Sequence, residues 1–318
     1  MKKLFLTIMA MLMAVPFLVS CSDDDEDNGF KQGAVVAILK NSNIDYWQQI
    51  ASAIESECLA KGVKPIIAYN NNDADADGQL AVAAGIDRLE DYYNIKGIIV
   101  APVYTEDDHR VEQTLSEYYE DDNIPVVIID SPIDQQKSPL KSSYRAYVGT
   151  DNKDAGKILA QKAGLKTSGS ILSARVQASV PTVLRYQGFS EALGREVPLW
   201  LTADIETPET MKSEFSKYDG ITDVVFFNGS ICNSVLPALE GKNVYTFDVY
   251  KPFLENLQTG GCIKGIIAQN TFEMGRQAVL ALFDNTVGRT VYIPTVYINK
   301  DNLNSAEVAP FMKYYELK

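Results

Sequence analysis

From residue 34 onward the chain alternates between two rhythms of apolar positions. Ala34 to Leu39 is an unbroken apolar run of six. Such a run, rich in Val and Ile, predicts a strand buried on both faces, as in a parallel sheet. Lys40 to Asp45 is polar and reads as a loop, and Tyr46 and Trp47 then open a stretch with apolar positions Trp47, Ile50, Ala51, Ile54 and Cys58. That spacing is helical, and Gly62 stands where a C-terminal cap belongs. The unit repeats with strands predicted at Lys64–Tyr69, Gly97–Pro102 and Ile124–Asp130, separated by helical stretches, one of them carrying Val82, Ile86, Leu89 and Tyr93. Thr105 with Asp108 predicts the start of another helix. Strands alternating with helices every 25–30 residues predict βαβ units and a parallel sheet.

The regularity breaks after Asp130-Ser131-Pro132-Ile133, where Gln135 to Ser143 is polar and contains Pro139. A domain crossover is predicted here. The pattern restarts with strands at Tyr144–Val148, Gly169–Ala174, Val197–Ala203, Asp223–Phe227, Asn243–Asp248, Cys262–Ala268 and Tyr292–Ile298. Thr182, Thr207-Pro208 and Thr271 mark helix starts between them. The expected architecture is α/β: two doubly wound parallel-sheet lobes, with crossings near Asp130–Ser131, Gln269–Asn270 and Tyr292–Val296. Lobe one then combines 33–130 with 271–292, and lobe two combines 131–270 with 293–318.

The first 32 residues read differently. Lys2 and Lys3 precede an apolar stretch from Leu4 to Leu18, a targeting segment spanning 1–20. Leu18-Val19-Ser20-Cys21 resembles the lipobox of bacterial lipoproteins, which implies cleavage before Cys21 and lipid attachment to its sulfur. The alternatives are an ordinary secretory signal and a retained membrane anchor. Asp23 to Asp27 is five consecutive acids, which repel one another and predict a disordered tether over 21–32. The run resembles the surface-export signal of Bacteroidota lipoproteins; a plain solvated spacer is the other reading.

Charge narrows the partners. The net charge is −13 over 318 residues, and no basic patch occurs along the chain, which argues against nucleic acid. Removing Lys2 and Lys3 takes the charge to −15, and removing the five tether acids brings it to −10. Such a body suits a neutral or cationic ligand. Besides Cys21 there are Cys58, Cys232 and Cys262, none at metal-like spacing. Cys58 falls on an apolar helix face; Cys232 and Cys262 are read as free thiols, with pairing in an oxidising compartment left open. The single histidine, His109, has no Ser or Cys partner at catalytic spacing, and no Gly-rich phosphate loop is present. No catalytic residue, metal or cofactor is expected.

In this order and spacing, Ala34–Trp47, Ile98–Pro102, Ile124–Asp130, Thr150-Asp151-Asn152 with Gly156, Arg185-x-x-Gly188-Phe189, Phe227-Asn228, Thr246-Phe247-Asp248, Ile267-Ala268-Gln269 and Ile298–Asn302 resemble the ribose/galactose-type periplasmic solute-binding proteins. These share their fold with the effector domains of the lactose-repressor family. The resemblance covers roughly 33–318 and implies a monomeric, two-lobed, hinge-closing receptor for a sugar-like small molecule. The repressor branch is disfavoured, because a lipobox and acidic tether stand where a helix-turn-helix would be. By the same resemblance Tyr46 and Trp47 correspond to paired aromatics that sandwich a sugar ring, and Arg185, Asn228, Asp248 and Gln269 to polar ligand contacts. Asn43, Tyr104 and Asp130, in the loops after strands, complete the candidate set. Sugar hydroxyls both donate and accept, so fixed carboxylate, amide and guanidinium groups suit them. For each residue a local reading also stands: Trp47 as first core residue of its helix, Arg185 in an ion pair, Asp248 as helix cap, Asn228 as turn residue, Gln269 as hinge residue. Val103-Tyr104-Thr105 replaces a family aspartate and Asn43-Ile44 a more polar pair, pointing away from ribose itself. Delivery to a membrane importer is the leading use; a sensor presenting its closed form to a membrane receptor, or surface capture of glycans, are the alternatives.

Overall fold

The computed structural model describes residues 31–70, 75–103, 108–165, 169–177, 179–202, 206–284 and 290–317. The targeting segment, Cys21 and the acidic run lie outside the described residues, as does Tyr104.

Two six-stranded sheets organise the fold. The first runs β11(Thr290–Tyr292), β5(Ala146–Gly149), β4(Val126–Ile129), β3(Tyr93–Val100), β1(Gln32–Leu39), β2(Lys64–Tyr69). The second runs β12(Val296–Ile298), β10(Ile263–Ala268), β9(Asn243–Phe247), β8(Asp223–Phe226), β6(Ile171–Val176), β7(Leu199–Thr202). Read side by side, the two orders correspond strand for strand, so β4 matches β9 and β5 matches β10. Every described pairing is parallel except β12 against β10.

The unbroken apolar runs are explained by cover on both faces. Ala34 to Leu39 is fully buried. Side chains of alternate parity enter two cores: Val35, Ala37 and Leu39 pack against α1(Asp45–Ala60) and α10(Thr271–Phe283), while Ala34, Val36 and Ile38 face α2(Ala76–Ala83), α3(Ile86–Glu90) and α4(Arg110–Glu120). In the second sheet, α5(Asn152–Lys162) and α6(Val180–Leu193) cover one face. The opposite face packs against α7(Pro208–Phe215), α8(Gly229–Val235), α9(Lys251–Thr259) and α11(Ala309–Tyr314). Helices α5 and α6 approach so closely that a Cβ on Gly188 would collide with the Lys153 carbonyl, and one on Gly156 with the Arg185 carbonyl. Glycine at both positions is therefore a packing requirement that sets where Arg185 sits.

Local chemistry moves several expected boundaries. The stretch through Val82 to Tyr93 is not one helix: α2 and α3 are separated at Ala84-Gly85, and Tyr93 begins β3. Helix α10 is capped by Asn270, whose Oδ1 accepts from Glu273 N, rather than by Thr271. Pro208 does occupy the first position of α7, behind a Thr207–Thr210 capping box.

The crossover expected at Asp130–Ser131 is corrected by the topology. After β4 the polar stretch forms a loop and a short 3-10 turn at Pro139–Ser142, and β5 then pairs with β4 in the first sheet. The chain changes sheets only after Gly149. It returns after Ala268, since β10 lies in the second sheet and α10 packs on the first, and it leaves again between β11 and β12. The expected final strand is thus two short strands in different sheets. Among the described residues no helix is long and apolar enough to cross a membrane.

Candidate functional site

Six polar groups gather just past the carboxyl ends of strands in both sheets, the edge where open α/β sheets bind ligands. On the first sheet, Lys40 follows β1 and Asp130-Ser131 follows β4. Tyr46, in the first turn of α1, donates its hydroxyl to Asp130 Oδ1 at 2.6 Å. Ser131 Oγ donates to Asp130 Oδ2 at 2.8 Å, and Lys40 Nζ donates to Ser131 Oγ at 2.8 Å while standing 3.9 Å from that carboxylate oxygen. Asp130 itself is left-handed, with φ of 63°. Tyr147 Oη, donating to the Asp130 carbonyl at 2.9 Å, and the Asp130 N–H, donating to Val148 O at 3.0 Å, hold it there.

The second sheet repeats the device. Asp248 follows β9 with φ of 61°, and its N–H donates to Ile267 O at 3.0 Å. Its Oδ1 accepts from Gln269 Nε2 at 2.7 Å and its Oδ2 from Gly229 N at 3.2 Å. Gln269 Oε1 in turn accepts from Thr150 Oγ1 at 2.8 Å, so the first two sheet crossings are bonded to each other. Asp130 and Asp248 occupy matching positions in the two strand orders. A left-handed backbone at a residue other than glycine costs energy, and asparagine and aspartate tolerate it best. The same conformation held at both strand ends aims the two carboxylates out of the sheets.

Arg185, from the second turn of α6, is only 4% exposed. Its Nε donates to Asn152 Oδ1 at 2.7 Å and its Nη1 to Phe227 O at 2.9 Å, and its guanidinium lies 4.4 Å from the Phe247 ring centroid. Among the described residues no carboxylate stands within ion-pair distance of it. The expected alternative of an ion pair holding the helix is therefore replaced by two neutral acceptors and an aromatic face. The two lobes meet electrostatically at Tyr46. Burial pushes the Tyr46 hydroxyl well above its ordinary range, with the Asp130 and Asp248 charges adding to the rise and Arg185 opposing it. Tyr46 consequently stays a neutral donor at physiological pH.

The remaining described candidates have local partners. Trp47 is 4% exposed and belongs to the core between α1 and α10, with Tyr46 edge-on at 4.9 Å and Lys40 Nζ 5.4 Å from its ring centroid. The observed surroundings are those of a core residue. Asn228 spends its side-chain oxygen capping α8, accepting from Ile231 N at 3.1 Å. Asn43 is exposed in a turn, its N–H bonded to Asn41 Oδ1 at 2.9 Å. Residues the sequence did not single out as site members include Lys40, Ser131, Tyr147 and Asn152. Lys40, Ser131 and Tyr147 were signalled by position just after, or at the end of, an apolar run, and Asn152 by the Thr150-Asp151-Asn152 stretch. Cys58 and Cys232 are buried and Cys262 half-buried, all as free thiols.

Comparison with known proteins places this geometry. The model of the periplasmic binding protein domain family matches residues 35–290, and the chain belongs to that family, whose members are solute receptors without catalysis. Among curated proteins none matches by sequence. Among solved structures, an arabinose-binding protein from Geobacillus stearothermophilus superposes with a TM-score of 0.72 at 18% identity, over 86% of this chain and 98% of its own. A solute-binding protein of an ABC transporter from Agrobacterium vitis, bound with α-D-tagatopyranose, gives 0.73 at 20% identity, over 87% and 98%. A second from that organism, with bound D-fucose, gives 0.71 at 19%, over 87% and 99%. The fold is thus the two-lobed one of type I periplasmic binding proteins.

Proposed function

We propose that this chain is an envelope receptor that binds one neutral monosaccharide, or a similar polyhydroxy compound, between its lobes and delivers it to an ABC importer. The observation that carries this reading is the charge balance of the site. Lys40 and Arg185 supply two cations, and Asp130 and Asp248 two anions, all buried or half-buried. A net-neutral set of fixed donors and acceptors favours a ligand that is uncharged yet rich in hydroxyls, because a lone ligand charge would be desolvated without a counter-charge. The sugars named for the solved neighbours support the same class. Tyr46, Asp130, Arg185, Asp248 and Gln269 are the proposed contacts, with Asn152 and Thr150 holding Arg185 and Gln269 in place.

Residues 1–20 are proposed as a lipoprotein signal, Cys21 as the lipidated residue and 21–32 as the tether, which places the receptor at the membrane surface on the extracytoplasmic side. The family supports uptake, and a site formed within one chain supports monomeric action. The test is a thermal-shift screen against monosaccharides, disaccharides and polyols. A ligand at a hundred times its Kd stabilises the folded form by about 2.7 kcal/mol. At least one neutral monosaccharide is expected to raise the melting temperature and saturate with 1:1 stoichiometry in calorimetry. Stabilisation by charged amino acids or oligopeptides alone would overturn the reading.

A further inference from the structure

The C-terminal helix reaches out of the second lobe and touches the first beside the site. Tyr315 is buried in the core of the second lobe, and its hydroxyl donates to Val249 O at 2.8 Å, one residue past Asp248. Gln49 is buried in α1, one turn past Tyr46, and its Oε1 accepts from Thr271 Oγ1 at 2.7 Å, two residues past Gln269. Between them runs one longer bond, Gln49 Nε2 to Tyr315 Oη at 3.3 Å. Next to it Tyr314 Oη donates to Gln48 Oε1 at 3.1 Å, at an exposed position. Phe272, at the start of α10, lies against Phe311 and Tyr314 at 5.8 and 6.1 Å.

Two bonds, Tyr315 to Val249 and Thr271 to Gln49, join groups of the same lobe and orient Gln49 and Tyr315. The two longer ones cross between lobes, and the Asp45 carboxylate of α1 also takes a hydrogen bond from the Tyr315 hydroxyl across them. With Thr271 N donating to Gln269 O and Gln269 Nε2 to Asp248 Oδ1, the set closes into a ring through the hinge. A long hydrogen bond contributes little, and the Tyr314–Gln48 bond at the exposed edge is readily exchanged for water, which suits a contact that must break and re-form.

We propose that Gln49 and Tyr315 are positioning residues that latch the lobes closed, setting how long a ligand stays rather than how fast it enters. Closure sequesters a bound ligand, so a contact made only in the closed form acts on dissociation. One net hydrogen bond corresponds to about fivefold in an equilibrium.

The test uses Tyr315→Phe, with Gln49→Met as a second variant should the first not fold. Spin labels at Tyr92→Cys and Leu201→Cys, exposed positions on the two lobes, report the interlobe distance in a Cys262→Ser background without ligand. Either latch variant is expected to shift the distance distribution to longer values. With the best-screened monosaccharide, koff should rise about fivefold and kon stay within about twofold. The kinetic arm rests on the sugar-receptor reading and the distance arm does not, so a failed sugar screen leaves the latch decidable. Unchanged distances would overturn the latch, as would a loss of affinity carried by kon alone.

Discussion

Replacing Asp248 by asparagine isolates the carboxylate of the second lobe. Asparagine keeps the shape and tolerates the left-handed backbone that Asp248 adopts at φ of 61°. The carboxylate accepts two N–H groups, from Gln269 and Gly229, one at each oxygen. An asparagine amide offers one oxygen, so one of those donors faces an NH2 group instead. A buried donor left unpaired costs about 1–3 kcal/mol, and a hydrogen bond to a charged acceptor is worth about 1.5–3 kcal/mol. The lone pairs left for a ligand hydroxyl weaken in step, which corresponds to an affinity loss of roughly tenfold to 150-fold. Titration calorimetry with the best-screened monosaccharide measures the loss, and thermal melts confirm that the variant is folded. Asp248→Ala should fare worse in stability, because alanine adds about 1–2 kcal/mol of left-handed strain. An Asn variant that binds within about twofold of wild type would refute the assignment of Asp248 to the site.

Three further outcomes are expected. Trp47→Ala should lower unfolding free energy by about 3–5 kcal/mol in urea titrations, since the ring is buried in the core between α1 and α10; a folded variant of near wild-type stability that has lost only ligand affinity would make Trp47 a stacking platform instead. Burial, reinforced by Asp130 and Asp248, raises the Tyr46 pKa, so the stabilisation tied to its protonated hydroxyl is complete below about pH 10 and is lost as pH climbs towards the folded value; denaturation midpoints should therefore fall less steeply above about pH 10 in Tyr46→Phe than in wild type, and parallel curves would contradict that cause. Cys21→Ala should move the protein from the membrane to the soluble fraction of cells, and persistence in membranes would remove the lipid-anchor proposal.

Much of this architecture was legible because the inner strands are covered on both faces, which leaves an unbroken apolar run, and the helices on one. What the pattern could not show is pairing. The polar stretch at Gln135–Ser143 looks like a domain break, yet it is a loop within the first lobe, since β5 finds its partner in β4. Likewise Tyr93 continues a helical spacing in sequence but is claimed by β3, where it faces the sheet register of β1. The strand ends were findable: Asp130, Asp248 and Gln269 stand just past β4, β9 and β10, while Arg185 on α6 bonds Asn152 and the Phe227 carbonyl. Lys40, Ser131, Asn152 and Tyr315 act through partners distant in sequence, such as Lys40 with Ser131, 91 positions apart. A strand-end amide serves a helix cap as readily as a ligand, and the Asn228 oxygen caps α8. Helix spacing and ring stacking want the same residue at the same place, and Trp47 is buried in the core beside Tyr46.

A crystal structure of the protein grown with the best-screened neutral monosaccharide tests the site most directly. One sugar is expected between the lobes, with hydroxyls within hydrogen-bond distance of Arg185 and Asp248 on one side and of Tyr46 or Asp130 on the other. A sugar bound elsewhere, or an interlobe site that takes only charged ligands, would contradict the assignment of these strand ends as the site of a neutral-sugar receptor.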